Sequence, residues 1–240
     1  MIFDLEGTPA DIGFPDPALA EEEPNGLLAI GGDLSPGRVL AAYRRGIFPW
    51  YSVGQPILWW SPAPRMVLYP NEFHCSRSLR RSLRKRGCDV SVDLAFEQVI
   101  RACAEPRGAQ EGTWLLPEMI ESYVALNRNG HAHSFEVWRD GDLIGGLYGI
   151  AIGQVFFGES MFSRLTDASK IAMTLLIDNA LEQPFQLIDC QIYTEHLASL
   201  GAREISREDF EHVLQTAVAA PSSGLGASAP RPAAELRWAR

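Results

Sequence analysis

No window of the 240-residue sequence approaches the eighteen or so consecutive apolar residues that a bilayer span requires. Its opening, Met1-Ile-Phe-Asp-Leu-Glu-Gly7, has no basic stretch ahead of an apolar one. The expected class is therefore neither a helical membrane protein nor a secreted one, and the expected location is the cytoplasm. Cysteine is sparse: Cys75, Cys88, Cys103 and Cys190 include no C-x-x-C pair, so neither a disulfide framework nor a zinc site is predicted. Positive charge is also in deficit, with 21 basic residues against 30 acidic ones and a net charge of −9. Taken as a mean, that balance argues against nucleic acid as a partner. What is present is a 46% apolar chain. At this length a chain buries roughly 70–75% of its unfolded surface and needs no staple.

The mean charge hides a division. Residues 1–40 hold eight acids and one base (−7), residues 41–88 nine bases and one acid (+8), and residues 89–240 eleven bases and twenty-one acids (−10). Within the basic block, Arg77, Arg80, Arg81 and Arg84 recur at helical spacing, with Lys85 and Arg86 following. Like charges at i, i+3 and i+4 destabilise a helix, so the stripe points to an anionic partner, the alternative being a solvated face.

Turn and cap signals divide the rest. Asn25-Gly26 precedes a short buried strand, Leu27–Ile30; Ser35 with Pro36 predicts a helix to about Arg45, closed by Gly46. The aromatic stretches Ile47–Ser52 and Ile57–Pro62 predict strands or extended loops that close a small N-terminal α/β domain over 1–62. Ser76 caps the basic helix, and Asp93, Pro117 and Asp167 each open a further helix. Between the last two lies an antiparallel meander over His133–Phe162, and Gln186–Tyr193 follows as a buried strand. Residues 219–240 are Ala/Pro/Ser-rich at first and are expected to be a flexible tail. The predicted class is α+β. Its 63–218 segment resembles a GCN5-related N-acetyltransferase-like domain, with a mixed, largely antiparallel sheet flanked by helices.

In that acyltransferase class a glycine-rich loop ahead of the central helix cradles the pyrophosphate of CoA. Here the junction reads Gly158-Glu-Ser-Met-Phe-Ser-Arg-Leu-Thr-Asp-Ala-Ser169, with one glycine followed by a carboxylate. CoA is therefore a poor fit. The blocks Gly31-Gly-Asp-Leu-Ser35, Tyr43–Trp50, Gly112-Thr-Trp114, Phe157–Ser163, Leu187–Gln191 and His196–Gly201 resemble the leucyl/phenylalanyl-tRNA–protein transferase family.

The resemblance implies transfer of Leu or Phe, and less well Met, from aminoacyl-tRNA to a protein's N-terminal Arg or Lys, marking it for N-degron degradation. It implies no cofactor, and a monomer is expected. It assigns catalysis to Asp189, Gln191 and Glu159: Gln191 bonding the attacking amine, Asp189 polarising it from behind, and Glu159 orienting donor or acceptor. It assigns the aminoacyl side chain to Leu147, Met161, Met173, Leu176 and Ile188. The terminal adenosine falls to Tyr43, Trp50, Trp114 and Phe156, and the tRNA phosphates to Arg77, Arg80, Arg81, Arg84 and Lys85.

The chemistry suits those residue types. An aminoacyl ester is already activated and an α-amino group has a pKa near 8, so positioning, worth up to roughly 7–11 kcal/mol, can supply most of the acceleration. Asp189 and Gln191 stand two apart on a predicted strand and so share a face. Two methionines suit a pocket that admits both branched and ring side chains. The residues also admit ordinary roles: a buried, hydrogen-bonded aspartate, a helix-entry carboxylate, core apolar side chains and domain-packing tryptophans. Two other readings stay open, a CoA-dependent N-acyltransferase and a non-catalytic RNA-binding protein. His131 and His133 lack a third metal ligand at recognisable spacing and are expected at a strand edge.

Overall fold

The computed structural model describes residues 2–9, 13–85, 87–106, 115–221 and 224–239. Strands β1 (Phe3–Asp4), β2 (Leu27–Ile30), β3 (Phe48–Pro49) and β4 (Leu58–Trp60) form one sheet in the order β1-β2-β4-β3, with helix α1 (Pro36–Tyr43) between β2 and β3 in sequence. Gly26 is required where β2 begins. It has φ +93, and a Cβ there would lie 2.5 Å from Cα of Pro62. At α1 the expected Ser35 cap is absent. The Asp33 carboxylate instead accepts the Ser35 N–H at 2.8 Å and the Nε–H of the buried Arg38 at 3.2 Å.

The remaining chain runs β5 (Arg65–Leu68), α2 (Arg77–Arg84), β6 (Asp89–Val92), α3 (Phe96–Ala104), α4 (Pro117–Arg128), β7 (Ala132–Arg139), β8 (Asp142–Ile152), β9 (Val155–Ser163), α5 (Ala168–Glu182), β10 (Leu187–Gln191), α6 (Glu195–Ala198), β11 (Arg203–Ile205), α7 (Arg207–Ala219) and β12 (Ser228–Pro232). Its sheet has the order β11-β5-β10-β9-β8-β7-β6-β12. Within it β9 and β10 run parallel, while the neighbours on either side of that pair run antiparallel. The class is α+β.

Period-two alternation divides each strand between two apolar layers. One holds α5 and the buried Leu79 and Leu83 of α2, packed on Phe135, Leu147, Phe156 and Ile188. The other holds α1, α3, α4 and α7. It joins Trp59 and Leu28 of the first sheet to Val67, Phe157 and Leu187 of the second, so the two sheets, divided near residue 62, share one core.

Three sequence expectations are corrected by the tertiary context. Asp93 does not cap α3: at φ +53 its carboxylate accepts the Ser134 N–H at 2.7 Å and meets Nδ1 of His133 at 2.6 Å, and the helix starts three residues later. His133 is accordingly buried in an interior strand, not at an edge. Asp167 sits at φ +66 without a capping bond, and its Oδ2 accepts the Ser82 hydroxyl of α2 at 2.7 Å.

A further correction concerns the segment expected to be a flexible tail. Its strand β12 pairs antiparallel with β6 and ends the sheet, and Ala233, Leu236 and Ala239 are buried in the α5 layer. Trp238 stacks on Phe73 at 5.8 Å, and Arg231 and Arg237 both reach the buried Asp178. The Ala/Pro/Ser composition gave no sign of this, because the anchoring residues are few and spaced three apart.

If that docking contributes to stability, Leu236→Ala, which empties a fully buried site, lowers the unfolding free energy by about 2–3 kcal/mol. Urea melts followed by far-UV circular dichroism read it. A loss within 0.5 kcal/mol, as at roughly any surface position, would refute the docking.

Candidate active site

The parallel junction of β9 and β10 carries the polar centre. Register pairs Ile188 with Phe156 and Asp189 with Phe157. Ile188 thus faces the α5 layer and Asp189 the opposite one. A register shift follows Asp189, and Gln191 adopts φ +66. Strict alternation therefore fails at the strand end, yet Gln191 stays beside Asp189: its backbone N–H donates to Asp189 Oδ1 at 2.9 Å. Its side chain turns elsewhere, Nε2 donating to Glu159 Oε1 at 2.8 Å.

Glu159 is the meeting point of four elements. Tyr43 of α1 donates to its Oε1 at 2.6 Å and Tyr123 of α4 to its Oε2 at 2.8 Å, and the two phenols lie 2.6 Å apart. Burial pushes the Glu159 carboxyl up to about 7, with the Asp189 charge adding to the rise and the bonds from Tyr43, Tyr123 and Gln191 opposing it. Asp189 has a different environment. Arg65, opening β5, reaches it with a two-pronged fork, Nε to Oδ1 at 2.8 Å and Nη2 to Oδ2 at 2.7 Å, and neither side chain is more than 1% exposed. The guanidinium lies between the Phe48 and Phe210 rings, 5.0 and 4.7 Å from their centroids. Asp189 is therefore held by Arg65 and by the Gln191 backbone, and it reaches the Gln191 side chain only through the main chain.

An apolar cavity of about 910 Å³ opens against this centre. All five predicted pocket residues, Leu147, Met161, Met173, Leu176 and Ile188, line it, and so do Glu159, Gln191, Trp50 and Trp60. The two indoles lie 5.9 Å apart, and Trp60 Nε1 donates to the Trp50 carbonyl at 2.6 Å. Trp50 is 47% exposed. Tyr148 also lines the cavity; its hydroxyl is buried with no hydrogen-bond partner among the described residues.

The four residues assigned to the terminal adenosine do not form one surface. Tyr43 is buried, its ring edge-to-face with Phe157, and its hydroxyl serves Glu159. Phe156 is also buried, and packs against Phe135 and Phe185 as part of the cavity wall. At 1% and 0% exposure neither ring offers an accessible face to a base, so both assignments are corrected. Trp50 remains, and Trp114 lies outside the described residues.

On α2, Leu79 and Leu83 face the core while Arg77, Arg80, Arg81 and Arg84, with Lys85 after the helix, are exposed. Arg84 Nε donates to the Ala239 carbonyl at 2.6 Å. Among the described residues no cluster of three or more His, Cys, Asp or Glu is placed to hold a metal ion.

Sequence reasoning missed Arg65, Tyr123, Tyr148 and Trp60. Arg65 left a signal, being the sole base between residues 46 and 76 and standing at the head of the apolar run Met66-Val-Leu68. Tyr123 and Tyr148 left none, since each sits where a core aromatic fits equally well.

The family described as leucyl/phenylalanyl-tRNA protein transferase matches residues 67–215, and that transferase's N-terminal domain matches residues 32–63. Relatives named leucyl/phenylalanyl-tRNA–protein transferase include one from Chromobacterium violaceum, 57% identical over 87% of this chain and 89% of its own length. Another, from Cellvibrio japonicus, is 55% identical over 86% and 88%. A third, from Chromohalobacter salexigens, is 56% identical over 91% and 86%. A GCN5-related N-acetyltransferase-like protein from Streptococcus suis superposes on 67% of this chain and 59% of its own at 12% identity, with a TM-score of 0.35.

The raised Glu159 carboxyl has a stability consequence. Between its unfolded value near 4.5 and about 7 the folded protein holds a proton that the unfolded chain has released. Stability from this group is therefore complete below pH 4.5 and lost as pH rises through 7. Glu136, buried and also pushed up to about 7, adds a share of the same sign. Urea midpoints measured from pH 5 to pH 8 should fall, and the fall should be shallower in Glu159→Gln. An identical slope in the variant would show that Glu159 is ionised throughout.

Proposed function

The chain belongs to the leucyl/phenylalanyl-tRNA–protein transferase family, and from that premise we propose that it moves Leu or Phe, and less efficiently Met, from aminoacyl-tRNA to the α-amino group of proteins beginning with Arg or Lys. The product would be a protein marked for degradation by the N-degron route. One observation carries the reading: the cavity lined by Leu147, Met161, Met173, Leu176 and Ile188 is also lined by the hydrogen-bonded polar pair Glu159 and Gln191. A Leu or Phe side chain in the apolar part sets its own ester carbonyl beside the polar part.

The reaction replaces the C–O bond of the ester with the C–N bond of an amide. The attacking nitrogen must shed one proton, and the departing ribose oxygen must gain one. Because Gln191 Nε2 is committed to Glu159, the Oε1 of Gln191 is the end that accepts an N–H of the attacking amine. That contact orients the nitrogen lone pair and strengthens as positive charge grows on nitrogen. Asp189, paired with Arg65, stands behind the same nitrogen and fixes the Gln191 backbone. Glu159 holds the amide plane, and with a carboxyl near 7 it can take part in proton exchange at neutral pH.

Trp50 and Trp60 offer a surface for the terminal adenine, where stacking is worth about 1–3 kcal/mol per base. The exposed Arg77, Arg80, Arg81, Arg84 and Lys85 suit acceptor-stem phosphates, contacts that position without reading sequence. The acidic remainder of the chain suits a cationic N-terminus.

A CoA-dependent acyl transfer is disfavoured by the start of α5. Asp167 already puts a carboxylate at the helix N-terminus, bonded to Ser82 and 3.7 Å from Lys170 Nζ, where a pyrophosphate would need open amides.

The deciding assay offers purified protein with labelled Leu-tRNA or Phe-tRNA to peptides that differ in their first residue. Arg- and Lys-starting peptides should be modified and Ala-starting ones left alone. No transfer by a folded sample, or transfer from acetyl-CoA instead, would overturn the reading. Asp189→Asn should lower kcat by roughly 100-fold or more with aminoacyl-tRNA affinity within about twofold. Trp50→Ala should do the reverse, raising KM for aminoacyl-tRNA about tenfold, as expected for one lost stacking contact. Raising salt should weaken both the tRNA and the cationic peptide; a peptide KM indifferent to salt would rule out electrostatic attraction of the acceptor.

A further inference from the structure

We infer that Arg65 is a positioning residue for this reaction: its fork fixes the Asp189 carboxylate and, through the Gln191 backbone, the amide that meets the attacking amine. The inference rests on the aminoacyl-transfer reading and adds to it a residue that never touches substrate.

The geometry is specific. Oδ1 of Asp189 accepts two hydrogen bonds, from Arg65 Nε at 2.8 Å and from the Gln191 N–H at 2.9 Å, so the fork and the strand-end amide share one oxygen. Gln191 sits at φ +66, a left-handed conformation that is disfavoured for a non-glycine residue. In that conformation its N–H donates to the shared carboxylate oxygen. The Phe48 ring of β3 and the Phe210 ring of α7 both pack against the guanidinium. Its Nη1 is buried without a hydrogen-bond partner among the described residues, so the fork toward Asp189 is the polar interaction that orients it there. A lysine brings the charge but not the fork.

The charge has a second effect. Glu159 is faced by Tyr43 of α1, Tyr123 of α4, Tyr148 of β8, and Gln191 and Asp189 of β10. Of these, Asp189 is the group whose charge raises the Glu159 carboxyl. The Arg65 fork fixes where that carboxylate stands; without the fork it is no longer held in place, and its repulsion of Glu159 weakens.

The test compares the full-length chain with Arg65→Met, Arg65→Lys, Asp189→Asn and the double variant Arg65→Met with Asp189→Asn. Single-turnover transfer to an Arg-starting peptide is measured alongside the Glu159 side-chain carboxyl titration by carbon-13 NMR, assigned with Glu159→Gln. Arg65→Met should lose about 100-fold in kcat at a KM for aminoacyl-tRNA within about twofold, the signature of a misplaced reacting group. In the same variant Glu159 should titrate at lower pH. Arg65→Lys should restore the Glu159 titration and only part of kcat. The double variant should be no slower than Asp189→Asn alone, since Arg65 acts through Asp189. Should Arg65→Met fail to fold, Arg65→Lys and the double variant, in which no charge is left buried and unpaired, carry the test.

The inference is overturned if the double variant shows the two single losses multiplied. It is equally overturned if Arg65→Met, or where that chain does not fold Arg65→Lys, keeps full kcat. A Glu159 titration in Arg65→Met that is unchanged, or moved upward, would also overturn it. A wild-type chain that transfers no amino acid refutes the functional reading instead, and the Glu159 titration, which needs no substrate, still reports on Arg65.

Discussion

A guanidinium and a carboxylate face one another in the buried interior of this molecule, and the polar centre is built around their pairing. Arg65 and Asp189, 124 positions apart, are each at most 1% exposed. Desolvating such a pair costs several kcal/mol per ion, and only good geometry with further hydrogen bonds offsets it. Here the geometry is a two-pronged fork, and Phe48 and Phe210 flank the cation. The pair therefore couples the first sheet, the last long helix and the strand carrying Gln191. None of these can shift without loosening a buried charge.

The two carboxylates of the site are made unequal by what surrounds them. Asp189 has a cation; Glu159 has two phenols and an amide, in a site where burial disfavours its charge. One is tied to a cation and the other is pushed up to about 7, a division of environment rather than of residue type. The same centre borders an apolar cavity several of whose wall residues, Leu147, Met173, Leu176 and Ile188, also belong to the α5-layer core. In the proposed reaction little more is needed, since an activated ester and a partly deprotonated amine react once held in register.

The surface has its own division. A net charge of −9 coexists with a run of exposed arginines on α2. That helix is fixed on its inner side by Leu79 and Leu83 and tied at its end to the C-terminal segment through Arg84 and the Ala239 carbonyl. The C-terminal strand also covers an edge of the large sheet that would otherwise present open backbone groups.

Residue order alone determined most of the elements, because helix and strand periodicities, first-turn prolines and glycines at chain reversals are local signals; Pro36, Pro117, Gly46 and the 143–152 strand are cases in point. It also determined the family, and the five residues singled out for an apolar side chain line one cavity. Tertiary structure decided what depends on a partner distant in sequence. Asp93 and Asp167 look like caps, but Ser134, His133 and Ser82 claim their carboxylates. Tyr43 and Phe156 look like free aromatics and are enclosed. Residues 224–239 look like linker and end a sheet. Asp189 is recognisable in the strand; its counter-ion is not, because a salt bridge closed over 124 residues has no sequence period and exists only once both sheets have folded around it.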